Sequence, residues 1–160
     1  METRVPVLWI SGPPGAGKST VSWQLFTDLA RAGPHVAFAD TDQFCMCYPA
    51  PPGDPDRPIE SDEALRTYVR ALPAARVIAV RLHAGRAELT RRIMTRGAGG
   101  SWPQPGDPLR GQPREVLLRA AGRAATEARV LERAAAGMVR IDTDGLTVTA
   151  AVDAIAAVVG

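Results

Sequence analysis

The chain has 160 residues, a formal net charge of +2 and 5% aromatic residues. That length supports one domain with a core of its own, residues 1–160, but not two. The small, scattered positive charge and the few aromatics argue against a nucleic-acid surface, and no apolar stretch approaches the roughly 20 residues of a membrane span.

Val5 to Ile10 (V-P-V-L-W-I) is an apolar run of the kind that forms a buried parallel strand, with Pro6 near its start where a missing N–H is tolerated. It begins almost at once, so no secretory leader is expected. After a glycine-rich turn, Val21, Leu25 and Leu29 recur at four-residue spacing and predict a helix to about Ala32, stopped by Gly33-Pro34. His35 to Ala39 reads as a second strand running into Asp40-Thr41-Asp42. Pro49, Pro51, Pro52, Pro55 and Pro58 make the next stretch a loop. Ser61 would cap a short helix with Leu65, Tyr68, Val69 and Leu72 on its apolar side. Arg76 to Leu82 predicts a third strand and Arg86 to Arg96 a helix. Gly97 to Pro113 is rich in Gly and Pro, and Arg114 to Ala136 is an alanine-rich helix. Met138 to Ile141 predicts a fourth strand and Leu146 to Val159 a closing helix. Strands alternating with helices give an α/β fold whose parallel sheet is covered on both faces.

The turn after the first strand, Gly12-Pro13-Pro14-Gly15-Ala16-Gly17-Lys18-Ser19, fits G-x-x-x-x-G-K-[ST], the phosphate-binding loop or Walker A motif. Lys18 is the only lysine in the chain; every other basic position is arginine. A compact ammonium on a flexible stem can fold over such a loop and reach the β- and γ-phosphates of ATP, where a planar guanidinium has the wrong shape. The glycines let successive N–H groups converge on phosphate, the following helix adds its positive end, and the Ser19 hydroxyl suits Mg²⁺.

Asp40 and Asp42 leave a predicted strand at the sheet edge where ligands bind, and alternation points both to one side. One suits Mg²⁺ or its water shell; the other suits a substrate hydroxyl as proton acceptor. The other reading is a solvated turn. Asp142 and Asp144 form a second Asp-Thr-Asp, read as turn residues beside a nucleotide base because Gly145 follows. Arg91, Arg92 and Arg96 precede the Gly/Pro-rich segment and Arg110 lies within it, as a basic lid over a phosphate site would require; arginine is also this chain's ordinary surface residue. Cys45 and Cys47, with one residue between them, fit neither a structural disulfide nor zinc, and His35 and His83 lack ligand spacing, so a reducing cytoplasm is the expected compartment. Trp9 and Trp23 are expected in core packing.

With these residues placed, the chain resembles the small-molecule kinases of the adenylate-kinase-like P-loop group, which includes shikimate, gluconate and adenylylsulfate kinases and chloramphenicol phosphotransferase. It is most similar to short actinobacterial P-loop kinase-like proteins with a D-x-D-Q…M-C-Y-P segment, here Asp40 to Pro49. V-I-A-V-R-L…E-L-T-R-R-I-M-T-R-G and I-D-T-D-G-L-T-V fit the same pattern. The resemblance implies a three-layer P-loop NTPase sandwich and transfer of the ATP γ-phosphoryl group to a hydroxyl of a small molecule. It assigns Gly12, Pro13, Pro14, Gly15, Ala16, Gly17, Lys18, Ser19 and Thr20 to the ATP phosphates, and Ser19 with Asp40 to Mg²⁺. Asp42 would serve the acceptor hydroxyl, Arg92 would pack on adenine, and Arg96 or Arg110 would reach the transferring group from a lid at about 97–113. Such kinases have five parallel strands in the order 2-3-1-4-5, whereas this sequence predicts four, without room for one helix and strand between Asp42 and Arg76. That shortening motivates one alternative, an ATP-binding protein without kinase activity; a polynucleotide 5′-hydroxyl kinase is a separate third one.

Overall fold

A computed structural model describes residues 4–40, 69–100, 107–134 and 137–159. In order they form β1 (Val5–Ser11), α1 (Lys18–Ala32), β2 (Ala75–His83), α2 (Arg86–Gly97), α3 (Arg114–Ala134), β3 (Val139–Asp142) and α4 (Val148–Val159). The fold is α/β, with a parallel three-stranded sheet in the order β1-β2-β3. Val5 pairs with Ala75 and Ser11 with Arg81, while Val80 pairs with Val139 and His83 with Asp142. This register brings the C-terminal ends of all three strands to one edge, so the turns leaving β1, β2 and β3 are neighbours.

Alternation along β2 sorts its side chains. Val80 and Leu82 point into a core shared with Val21 of α1, Ile141 of β3, and Ala151, Val152 and Ile155 of α4. Arg81 points the other way, is 4% exposed, and donates to the Leu131 carbonyl of α3. A second core lies between α2 and α3, where Leu89 and Ile93 meet Leu117, Ala120, Ala121, Ala124 and Ala128. The small residues recur every three or four positions along α3, forming the stripe on which α2 rests. Leu82, Leu89, Ile93 and Ile155 are among the largest side chains fully removed from water, and each contributes about 1.5–3 kcal/mol. No helix among the described residues is long and apolar enough to cross a membrane.

One predicted strand is not formed. His35–Ala39 carries no sheet pairing, so the described residues contain three strands where the sequence predicts four. The period-two pattern does exist there: Val36, Phe38 and Asp40 are half-buried and the residues between them exposed. Its apolar side is satisfied by α1 rather than by a neighbouring strand. Phe38 sits 5.6 Å from Trp23, edge to face, and 5.8 Å from Phe26. Alternation specifies one buried face and does not name the hydrogen-bond partner. Trp23 accordingly departs from the expected core position, being 39% exposed within this aromatic group. The predicted short helix after Ser61 lies largely outside the described residues; residues 69–71 are helical.

Candidate functional site

The site is built on the turn from β1 to α1. Ser11 ends β1 buried, and the chain reverses through Gly12, Gly15 and Gly17 at φ of 146°, 84° and 99°. At Gly12 two constraints coincide: the positive φ, and a neighbouring strand so close that a Cβ would lie 2.5 Å from the Leu82 carbonyl oxygen. Only glycine fits there. Within the turn the Ala16 N–H donates to the Pro13 carbonyl at 3.1 Å. Gly17 then caps α1 in the left-handed conformation with no side chain to offer, and the first turn of α1 contains no acidic residue. The positive end of α1 is therefore not neutralised by its own sequence. Lys18 folds back over the turn, its Nζ donating to the Gly12 carbonyl. Ser19 and Thr20 follow on the first turn of α1, both half-buried.

The outer wall comes from α2 and the turn after β3. Arg92 Nη1 donates to the carbonyls of Ala16 at 2.9 Å and Gly15 at 3.3 Å, and to the Thr143 hydroxyl at 3.0 Å. Its Nη2 donates to the Thr143 carbonyl at 2.7 Å, and its Nε to Glu88 at 2.7 Å. Thr143 is 3% exposed. Its hydroxyl donates to the His83 carbonyl at the end of β2 (2.9 Å), which also accepts the Thr143 N–H at 2.8 Å. The Asp144 carboxylate next to it accepts the Gly85 N–H at 2.8 Å, tying the start of α2 to the same turn. Glu88 is held by two arginines. The Arg91 guanidinium, bonded at 2.8 and 2.6 Å, does most to lower its carboxyl to about 2; Arg92 adds to this, while partial burial opposes it.

Of the predicted lid arginines, Arg96 is engaged by a carboxylate and, among the described residues, Arg110 is not seen in a bond to the site. Arg96 makes a two-pronged pair with Asp107 at 3.1 and 3.0 Å, and the Gly111 N–H donates to the Gly97 carbonyl at 2.9 Å. These bonds stitch the two described ends of segment 97–113 to each other. Arg110 is exposed, with its guanidinium beside Gly99. Asp40 is half-buried at the end of the segment that rests on α1. Asp42, Cys45 and Cys47 lie outside the described residues.

The structure thus brings together the glycine turn, Lys18 and Arg92 from the predicted set. It adds Thr143 as a buried hub that sequence reasoning passed over as a turn residue. The available signal was positional: a Thr one residue past a strand, at the same sheet edge as the glycine turn, with carboxylates on both sides to occupy solvent. Compared with known proteins, the chain matches no protein-family model and no curated protein.

Proposed function

We propose that the chain binds ATP through residues 12–20 and transfers its γ-phosphoryl group to a hydroxyl of a small molecule, as a P-loop kinase-like protein. One observation carries the reading: the G-x-x-x-x-G-K-S sequence coincides with three positive-φ glycines between a parallel strand and a helix whose lysine turns back over the loop. A polyanion suits this turn because its Gly15 and Ala16 carbonyls are drawn to Arg92 while the start of α1 has no side-chain cap.

In this reading the loop amides and Lys18 hold the triphosphate. Ser19, with Asp40, would hold Mg²⁺, which supplies charge neutralisation at the phosphate oxygens. Arg92 donates to protein groups from its Nε, Nη1 and Nη2, which fixes the guanidinium plane and offers its flat face as the surface on which adenine would pack. Asp42 would orient the acceptor hydroxyl and take its proton as the new O–P bond forms and the bond from the γ-phosphorus to the bridging oxygen breaks, with ADP as the leaving group. Arg96 or Arg110 would supply charge at the transferring group; for Arg96 that requires exchange of the Asp107 carboxylate for phosphate, a like-for-like anion swap on one guanidinium.

The test is calorimetric titration with MgATP, followed by mass spectrometry of incubations with a panel of hydroxylated metabolites. Binding that disappears in Lys18→Ala, together with a phosphorylated product, supports the reading; wild-type protein with no affinity for MgATP overturns it. A second reading, ATP binding without transfer, is favoured by His35–Ala39, because Asp40 then does not leave the end of a sheet strand. MgATP binding with no product from any acceptor selects it.

A further inference from the structure

We infer that Thr143 is a positioning residue for the glycine loop, fixing through Arg92 the direction of the amides that receive phosphate; the inference rests on the phosphate-binding reading above. Three elements meet at this one buried residue: the end of β2 through the His83 carbonyl, α2 through Arg92, and the glycine loop through the Ala16 carbonyl, 3.4 Å from the Thr143 hydroxyl. Its hydroxyl proton goes to the His83 carbonyl, which anchors it to the end of β2. Its oxygen accepts from Arg92 Nη1, and its carbonyl accepts from Nη2. Glu88 accepts from Nε, so the guanidinium plane is fixed by acceptors on all three of its nitrogens. What remains of Nη1 is directed at the Ala16 and Gly15 carbonyls.

The consequence follows from peptide geometry. In a trans peptide the C=O of one residue and the N–H of the next point in opposite directions. Drawing the Ala16 carbonyl outward therefore sets the Gly17 N–H inward, and Gly17, at φ 99°, would otherwise have wide torsional freedom. The loop lies between a rigid strand and a rigid helix, and this joint removes the remaining freedom before any anion arrives. A cradle ordered in advance spends less of its binding free energy on ordering itself.

The role separates from simple fold support, because Thr143 also bonds β2 through its backbone N–H (2.8 Å), a bond that side-chain replacement leaves in place. Thr143→Val keeps the shape and removes the hydroxyl; Thr143→Ser keeps the hydroxyl. Affinity is measured for MgATP and for magnesium tripolyphosphate, which has the phosphates and no base, alongside the thermal midpoint. The expected result is that Thr143→Val loses about tenfold in affinity for both probes with little change in midpoint, whereas Thr143→Ser stays within about twofold of wild type. Should the valine variant not fold, Thr143→Ala, which presses no methyl group on Arg92, is read the same way. Equal binding of both probes by wild type and the hydroxyl-free variant overturns the inference alone. Loss confined to MgATP also overturns it, since the effect would then lie at the base. Wild type binding neither probe overturns both this inference and the reading beneath it.

Discussion

Asp-Thr-Asp occurs twice in this chain, and the two copies stand on different ground. The second, Asp142 to Asp144, leaves a strand paired in the sheet, and its position is fixed by register before its side chains act. Thr143 can then bond the end of β2 and Arg92 at once, and Asp144 the start of α2. The first copy begins at Asp40, the end of a segment held on α1 by Phe38 against Trp23 and Phe26. An aromatic contact fixes a face but permits sliding and rotation, whereas a ladder of hydrogen bonds fixes both register and direction. A corner anchored by a ladder suits the constant task of shaping a phosphate cradle. One anchored by side-chain packing suits a task in which the partner varies, such as meeting an acceptor.

If the two corners divide the work in this way, substitutions in them separate cleanly. Asp42→Asn should lower phosphorylated product by about 10²- to 10⁴-fold, the usual range for losing a general base, while MgATP affinity stays near wild type. That is the opposite of the pattern expected at Thr143. Product measured by mass spectrometry beside affinity measured by calorimetry checks it. Equal loss of both quantities at both corners would erase the distinction.

The next effect in size tests the glycine turn itself. Gly12→Ala sets a Cβ against the Leu82 carbonyl oxygen at 2.5 Å, at a φ of 146° that alanine avoids. Backbone cannot yield as a side-chain tip does, so the variant should lose about 2–4 kcal/mol of stability, read from chemical denaturation. Gly33→Ala is the control, with a positive φ but open space around it, and should lose only about 1 kcal/mol. Similar losses at the two sites would mean that conformation alone, and not the approach of β2, governs the turn.

The same contrast marks what was legible in the sequence. Elements with a strong period and clear stops were readable: β2 and α2 through α4 lie within a residue or two of the boundaries their patterns predict. The glycine turn was readable because its residue types are demanded by backbone conformation, which is a local property. His35–Ala39 was misread because alternation reports a buried face, and α1 supplied that face through Trp23 and Phe26. Thr143 was passed over because its importance is entirely non-local. Its partners His83 and Arg92 lie 60 and 51 residues away, and nothing in the local pattern announces that three turns meet there. Arg96 likewise has an acidic partner, Asp107, eleven residues on across a glycine- and proline-rich stretch whose path no periodicity describes.

A smaller effect sharpens the account of the second corner. Asp144→Ala leaves the Gly85 N–H without its carboxylate partner and removes a negative charge from the start of α2. Because Asp144 is exposed, water replaces much of the bond, and the expected loss is about 1 kcal/mol. Amide exchange at Gly85 should accelerate while exchange in the core strands β1 and β2 does not. Unchanged exchange at Gly85 would show that the start of α2 does not depend on this turn.

The last prediction concerns acid. Glu88 supports the second corner indirectly, by holding Arg92 through its Nε. Its carboxyl is lowered from 4.5 to about 2, chiefly by the hydrogen bonds from Arg91. A carboxyl that is more acidic folded than unfolded stabilises the fold while ionised. Its contribution is therefore complete above pH 4.5, declines as the pH falls below that value, and is lost as the pH passes through about 2. Glu88→Gln removes the charge at every pH. The difference in urea midpoint between wild type and Glu88→Gln should be constant from neutral pH to about 4.5 and shrink to nothing near 2. A difference that persists unchanged at pH 2 would mean that Glu88 acts through packing rather than charge, and that Arg92 keeps its orientation without an ionised partner.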